Sequence, residues 1–175
     1  YGDHRDLHSF PTRRSSDLGL ASTWVEVAVV SGYEPRHVFQ KAIEIGSEYF
    51  ELDIHASKDN ELIVIHDKSV DRTSSNKTTG NIAELNYEQL TEMKVGYSSK
   101  FKDTYKNEKI PTLKEALELA KGKIKVCIEI KVHDVEEEIL KTIREVGAED
   151  EVIIFSLTLS QVYFCHSNNC KFTEV

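Results

Sequence analysis

The reading of the fold turns on YFELDIHASKDNELIVIHD, Tyr49–Asp67. Two apolar-rich runs, Tyr49–His55 and Glu61–His66, flank the polar SKDN, which is the pattern of two β-strands joined by a short turn. Side chains of a strand alternate between its faces, so Phe50, Leu52 and Ile54 share one side while Glu51 and Asp53 share the other. The second strand ends on His66. A strand that commits one face to carboxylates, beside a neighbour that finishes in a histidine, raises a question of chemistry as well as of architecture.

Outward from this pair, helical and strand patterns alternate. HVFQKAIEIG, from His37, spaces Phe39, Ala42 and Ile43 as a helix face and offers Gly46 as its C-terminal cap. DKSVDRTSSNKTTG, Asp67–Gly80, is rich in turn formers and opens a loop region over 67–110, interrupted by a short helix starting at Asn86 with Gln89 three residues on, as in a capping box. Pro111-Thr112 with Glu115 marks a second capping box and a second helix. Next come a strand, Lys123–Lys131, a helix, Asp134–Gly147, and a strand, Glu151–Ser156. Such alternation indicates βα units around a parallel sheet.

Tyr1–Leu18, YGDHRDLHSFPTRRSSDL, has one back-translation that matches a common short-read sequencing adapter in a single frame. It is read as a non-native segment and set aside as fusion scars are, so its His4-Arg5-Asp6 carries no catalytic meaning. The expected domain is then 19–175. Lys and Arg number 22 against 30 Asp and Glu, a formal charge of -8 that the adapter-like segment leaves unchanged. That acidic balance, without basic runs interleaved with aromatics, argues against nucleic-acid binding. No apolar stretch is long enough for a membrane span. Cys127, Cys165 and Cys170 show neither pairing nor zinc spacing, so no disulfide framework is expected.

Parallel strands buried on both faces should be almost wholly apolar, and three of these are not. KVCIEIK places Cys127, Glu129 and Lys131 on one face and Val126, Ile128 and Ile130 on the other. Glu51, Asp53, His66, Glu129 and Lys131 all fall toward the C-terminal ends of their strands, the end of a (β/α) barrel where active-site residues collect. Three carboxylates without cysteine suit a hard cation, Ca²⁺ or Mg²⁺, rather than zinc. A cation beside Lys131 could neutralise a phosphodiester, and His66 could give or take a proton. Plainer readings stand beside these. A charged strand face is usually solvated, Glu129 and Lys131 could be an ion pair on an exposed edge, and His66 could be a strand end held by the next loop. His55 and His133 are read as structural or solvated.

AIEIGSEYFELDIHASKDNELIVIHDKSVDRTSSNKTTGNIAELNYEQL resembles the glycerophosphodiester phosphodiesterase family, whose pattern runs G-A-D-x-x-E-x-D-V-x-x-T-K-D-G-x-x-V-V-x-H-D-x-x-L-x-R-T-T. IPTLKEALE and CIEIK fall where that family has P-T-L-x-E-x-L and a strand ending E-x-K, so the resemblance runs from about Phe39 to Ser156. It implies a (β/α)8 TIM barrel, of which this chain would hold about five of the eight strands, with 67–110 as the family's insertion. It further implies Glu51, Asp53 and Glu129 as ligands of Ca²⁺ or Mg²⁺, His66 as one of two acid/base histidines, and Lys131 as a contact to the phosphate or glycerol end of a small-molecule phosphodiester. The expected reaction is hydrolysis to sn-glycerol 3-phosphate and an alcohol. The chain departs from the pattern at two places. Ala28-Val29-Val30 stand where the family's first strand carries His-Arg-Gly, with His37 nearby but out of position, and the pattern fades after Ser156. Two alternatives follow: a phospholipase-type phosphodiesterase acting on lipid headgroups, or a catalytically dead barrel that binds a phosphorylated ligand.

Overall fold

The structure, a computed structural model, describes residues 40, 42–44, 46–74, 79–94 and 109–156. Within them lie strand β1 (Tyr49–Ala56), strand β2 (Leu62–Val64), a 3-10 turn (Ile82–Glu84), helix α1 (Tyr87–Thr91), helix α2 (Leu113–Ala120), strand β3 (Lys125–Ile130), helix α3 (Glu136–Val146) and strand β4 (Val152–Ser156). The four strands form one sheet in the order β2-β1-β3-β4. β3 lies parallel to both β1 and β4, as βα units require. β2 is the exception and runs antiparallel to the end of β1, pairing Ile54 to Val64 and Ala56 to Leu62. Its link to β1 is too short for a crossover, so only a hairpin is open to it. Ser57 closes that turn: its hydroxyl donates to Asp59 Oδ1 at 2.7 Å and accepts from the Glu61 amide at 2.8 Å.

Helix ends fall where the capping residues put them. Thr112 Oγ1 accepts from the Glu115 amide at 3.2 Å while Glu115 Oε2 accepts from the Thr112 amide at 3.1 Å, so α2 begins with a reciprocal cap. The Asn86 amide donates to Gln89 Oε1 at 3.0 Å at the start of α1. α3 carries Glu136, Glu137 and Glu138 in its first turn, where the helix dipole favours negative charge. It stops at Gly147, whose φ of 68° is left-handed and suits a residue without a side chain. The helix expected from His37 is seen at 42–44, and the Ser47 amide donates to the Ala42 carbonyl across Gly46, at φ 74°.

Two apolar clusters result. The main core sets Phe50, Leu52 and Ile54 of β1 and Val126, Ile128 and Ile130 of β3 against Leu113, Leu117, Ile139 and Ile143 of α2 and α3. Each such side chain contributes roughly 1.5–3 kcal/mol by leaving water. The second cluster, Ile63, Ile65, Val70, Ile82, Leu90, Met93 and Ile110, gathers the described parts of 67–110 under the hairpin. This region is therefore a compact excursion with a core of its own. It is pinned to the β1–β2 turn, where Asp59 Oδ1 accepts from the Tyr87 amide at 2.9 Å and the Lys58 amide donates to the Leu85 carbonyl at 2.9 Å. The expected strand upstream, around Ala28–Val30, and everything after Ser156 lie outside the described residues, as do His37, Cys165 and Cys170.

Candidate active site

The period of two in β1 and β3 that buries Leu52 and Ile128 turns Glu51, Asp53 and Glu129 to the opposite side of the sheet. The parallel register then sets Asp53 directly beside Glu129, with Glu51 one pair back opposite Cys127. Carboxylate oxygens of Glu51, Asp53 and Glu129 lie within 4.8 Å of one another. This face is not solvated, because Asp53 is only 3% exposed. Lys131 leaves the end of β3 with its amide bonded to the Ile54 carbonyl, and its Nζ lies 3.0 Å from Asp53 Oδ1 and 2.5 Å from Glu129 Oε1. The expected Glu129–Lys131 pair forms, then, but on an interior strand and shared with Asp53.

The electrostatics follow from this crowding. Burial, and next the charges of Asp53 and Glu129, push Glu51 up to about 8. Burial likewise pushes Asp53 above the usual carboxylate range, against the pull of Lys131. For Lys131, burial works against the charge, but Glu129 and Asp53 outweigh it and hold the ammonium above its ordinary value. Among the described residues, one lysine faces the three carboxylates. Moreover, Asp53 Oδ1 is buried and, although in ion-pair range of Lys131, accepts no well-aligned hydrogen bond. A buried carboxylate that must share its ammonium with a second carboxylate is costly and gains from a further cation. An all-oxygen set with that deficit fits a hard divalent cation.

His66 stands just beyond β2, close enough to Asp53 for its charge to act on that carboxyl. Its side chain is 41% exposed, and its Nδ1 lies 2.9 Å from Asp67 Oδ1. Asp67 also accepts from Arg72 Nε, on Oδ2, at 2.7 Å. Burial alone would raise the Asp67 carboxyl, but the bonds from Arg72 and His66 hold it below the usual range. His55 shares the polar face of β1, is 7% exposed, and donates from Nε2 to the His66 carbonyl at 3.1 Å. Burial lowers its pKa, which favours the neutral ring. His133 is exposed. All five residues singled out in the sequence thus meet at one end of the sheet. Sequence reasoning assigned no role to Asp67 and Arg72, although both fall on the H-D and R positions of the family pattern, H-D-x-x-L-x-R-T-T.

Known proteins resemble the chain both in sequence and in fold. The Glycerophosphoryl diester phosphodiesterase family matches residues 37–167, reaching past Ser156, where the motifs fade. A glycerophosphodiester phosphodiesterase of Caldanaerobacter subterraneus subsp. tengcongensis is 38% identical over 124 residues, 67% of this chain and 49% of that protein. The chain thus spans about half the length of this curated relative. Among solved structures, glycerophosphodiester phosphodiesterase from Agrobacterium tumefaciens superposes with a TM-score of 0.72 at 26% identity, covering 82% of this chain and 61% of that one. The Thermotoga maritima glycerophosphodiester phosphodiesterase gives a TM-score of 0.60 at 26% identity, covering 78% and 52%. These neighbours are TIM barrels, and the four-stranded sheet with its helices is part of such a barrel. With the match extending over most of its length, the chain belongs to the glycerophosphoryl diester phosphodiesterase family.

Proposed function

We propose that this chain is part of a divalent-metal-dependent phosphodiesterase that hydrolyses small glycerophosphodiesters to sn-glycerol 3-phosphate and an alcohol. The observation that carries the reading is the gathered set of Glu51, Asp53 and Glu129, with Asp53 buried and sharing the Lys131 ammonium with Glu129. In this reading those three residues hold Ca²⁺ or Mg²⁺. Bound there, the ion would supply Lewis-acid neutralisation of phosphate charge. Lys131, 23% exposed at its side chain, offers an ammonium to the phosphate or glycerol oxygens. His66 exchanges a proton with the attacking or the departing oxygen at a nitrogen that Asp67 leaves open. A non-catalytic binding role is the second reading, favoured by Ala28-Val29-Val30 in place of a histidine motif.

Calorimetric titration with Ca²⁺ and with Mg²⁺, paired with an assay for glycerol 3-phosphate released from glycerophosphocholine, separates these. Saturable cation binding and turnover abolished by EDTA are expected. Glu51→Gln should remove both, and turnover undiminished in Glu51→Gln or in EDTA overturns the metal assignment. Cation binding without turnover in the unaltered chain favours the binding role.

A further inference from the structure

His66 is held from two sides. Beneath it, buried His55 donates Nε2–H to the His66 carbonyl, which fixes the backbone where the chain leaves β2. Outside it, Asp67 binds the ring through Nδ1, and Arg72 occupies the other Asp67 oxygen. A carbonyl or an ionised carboxylate can only accept, so His55 must carry its proton on Nε2 and neutral His66 must carry its own on Nδ1. The two histidines therefore hold opposite tautomers.

Arg72 is not presented from a loose loop. Val70 and Thr73, on either side of it, are both 0% exposed and sit in the excursion. The Val70 amide donates to the Gly80 carbonyl at 3.0 Å, the Ser74 amide donates to the Val70 carbonyl at 2.8 Å, and Asp71 Oδ1 accepts from the Gly80 amide at 2.8 Å. Ser69 bridges to Asn81. The turn that carries Arg72 is thus mounted on the second core.

We infer that Asp67, braced by Arg72, is a positioning residue that binds His66 through Nδ1 and leaves Nε2 as the nitrogen that exchanges a proton with substrate. The excursion is the mount for that arrangement, so the second core sets the aim of the acid/base group. The inference rests on the acid/base reading of His66. Partners that orient a working side chain typically matter about 10- to 100-fold in activity. Asp67 and Arg72 are partly exposed, 24% and 39% at their side chains, which puts Arg72 toward the lower end.

The decisive test is long-range ¹H–¹⁵N NMR of the histidine rings in the chain as it stands, at a pH high enough for neutral imidazoles, because it needs no turnover. His66 is expected to show a protonated Nδ1 and a bare Nε2, and His55 the reverse. Asp67→Asn lets an amide donate to Nδ1 and should move His66 toward the Nε2–H form while His55 stays unchanged. Arg72→Gln should give a mixture, and Arg72→Lys should restore most of the original form. An Nε2–H or evenly mixed His66 in the unaltered chain, or a His66 indifferent to Asp67→Asn, overturns the inference. With glycerophosphocholine as substrate, Arg72→Gln should lower kcat by up to about tenfold with KM held, and Arg72→Lys should recover it. A rise in KM alone would instead make Arg72 a substrate contact. Failure of the unaltered chain to turn over would count against the enzymatic reading while the tautomer result still decides the positioning.

Discussion

Leu52 and Asp53 are neighbours in β1 with the same 3% exposure, yet they are buried for opposite reasons. Leu52 faces the helices with Ile128 and gains by leaving water. Asp53 faces Glu51 and Glu129, and its burial raises its free energy, offset only in part by Lys131. One pair of strands thus carries the stability of the domain on one side and an electrostatic debt on the other. The two faces are separable because the strand alternates: a change on one need not disturb the packing of the other.

The largest effect should come from the packed side. Ile128→Ala removes a fully buried side chain from between the sheet and the helices and should cost about 2–5 kcal/mol, read by denaturant unfolding. A cost near zero would mean that the apolar face does not hold the sheet.

A smaller effect of opposite sign is expected from the charged side. Without a cation, burial and the neighbouring carboxylates push Glu51 up to about 8 from its ordinary 4.5. A carboxyl raised in the folded state stabilises fully below its unfolded value, and that contribution fades as pH climbs through the folded one. The metal-free chain should therefore lose stability between about pH 5 and pH 8. Glu51→Gln should flatten that slope and raise the melting temperature at pH 8, whereas an unchanged slope would show that Glu51 is not the group titrating across this window.

The gentlest probe sits on the polar face itself, where Cys127 pairs with Glu51. Burial, and then Glu51, push the Cys127 thiol up to about 11, so at pH 8 it should alkylate far more slowly than a free cysteine. Peptide mass analysis would follow Cys127 apart from Cys165 and Cys170. Glu51→Gln should quicken the reaction modestly, while rapid labelling in the unaltered chain would show that the polar face is open.

Much of this was legible in the chain. Alternation in KVCIEIK and YFELDIH fixed both faces, since period two is a local property, and Thr112 with Glu115 and Gly147 marked helix ends for the same reason. The convergence of Glu51, Asp53 and Glu129 was legible only through the expectation of a parallel sheet, because register lies in no single strand. Three features stayed hidden. The brevity of β2 depends on its contacts with β1 and with Pro111, where the Val64 amide donates to the Pro111 carbonyl at 3.0 Å. The second core collects apolar residues scattered among polar ones, with no period to betray them. The His55–His66 bond joins two side positions whose meeting depends on the hairpin turn.

The pairing of β1 with β3 also governs when the site comes into being. The β1–β2 hairpin closes over a short turn, a fast and local event, whereas β1 and β3 must find each other across the whole excursion and α2. Asp53 and Glu129 are expected to meet only at that later step, where their repulsion would not obstruct the earlier hairpin. A divalent ion that occupies the three carboxylates is expected to leave the refolding rate nearly unchanged and to slow unfolding, and stopped-flow measurements on both limbs would reveal whether the site forms after the barrier or before it.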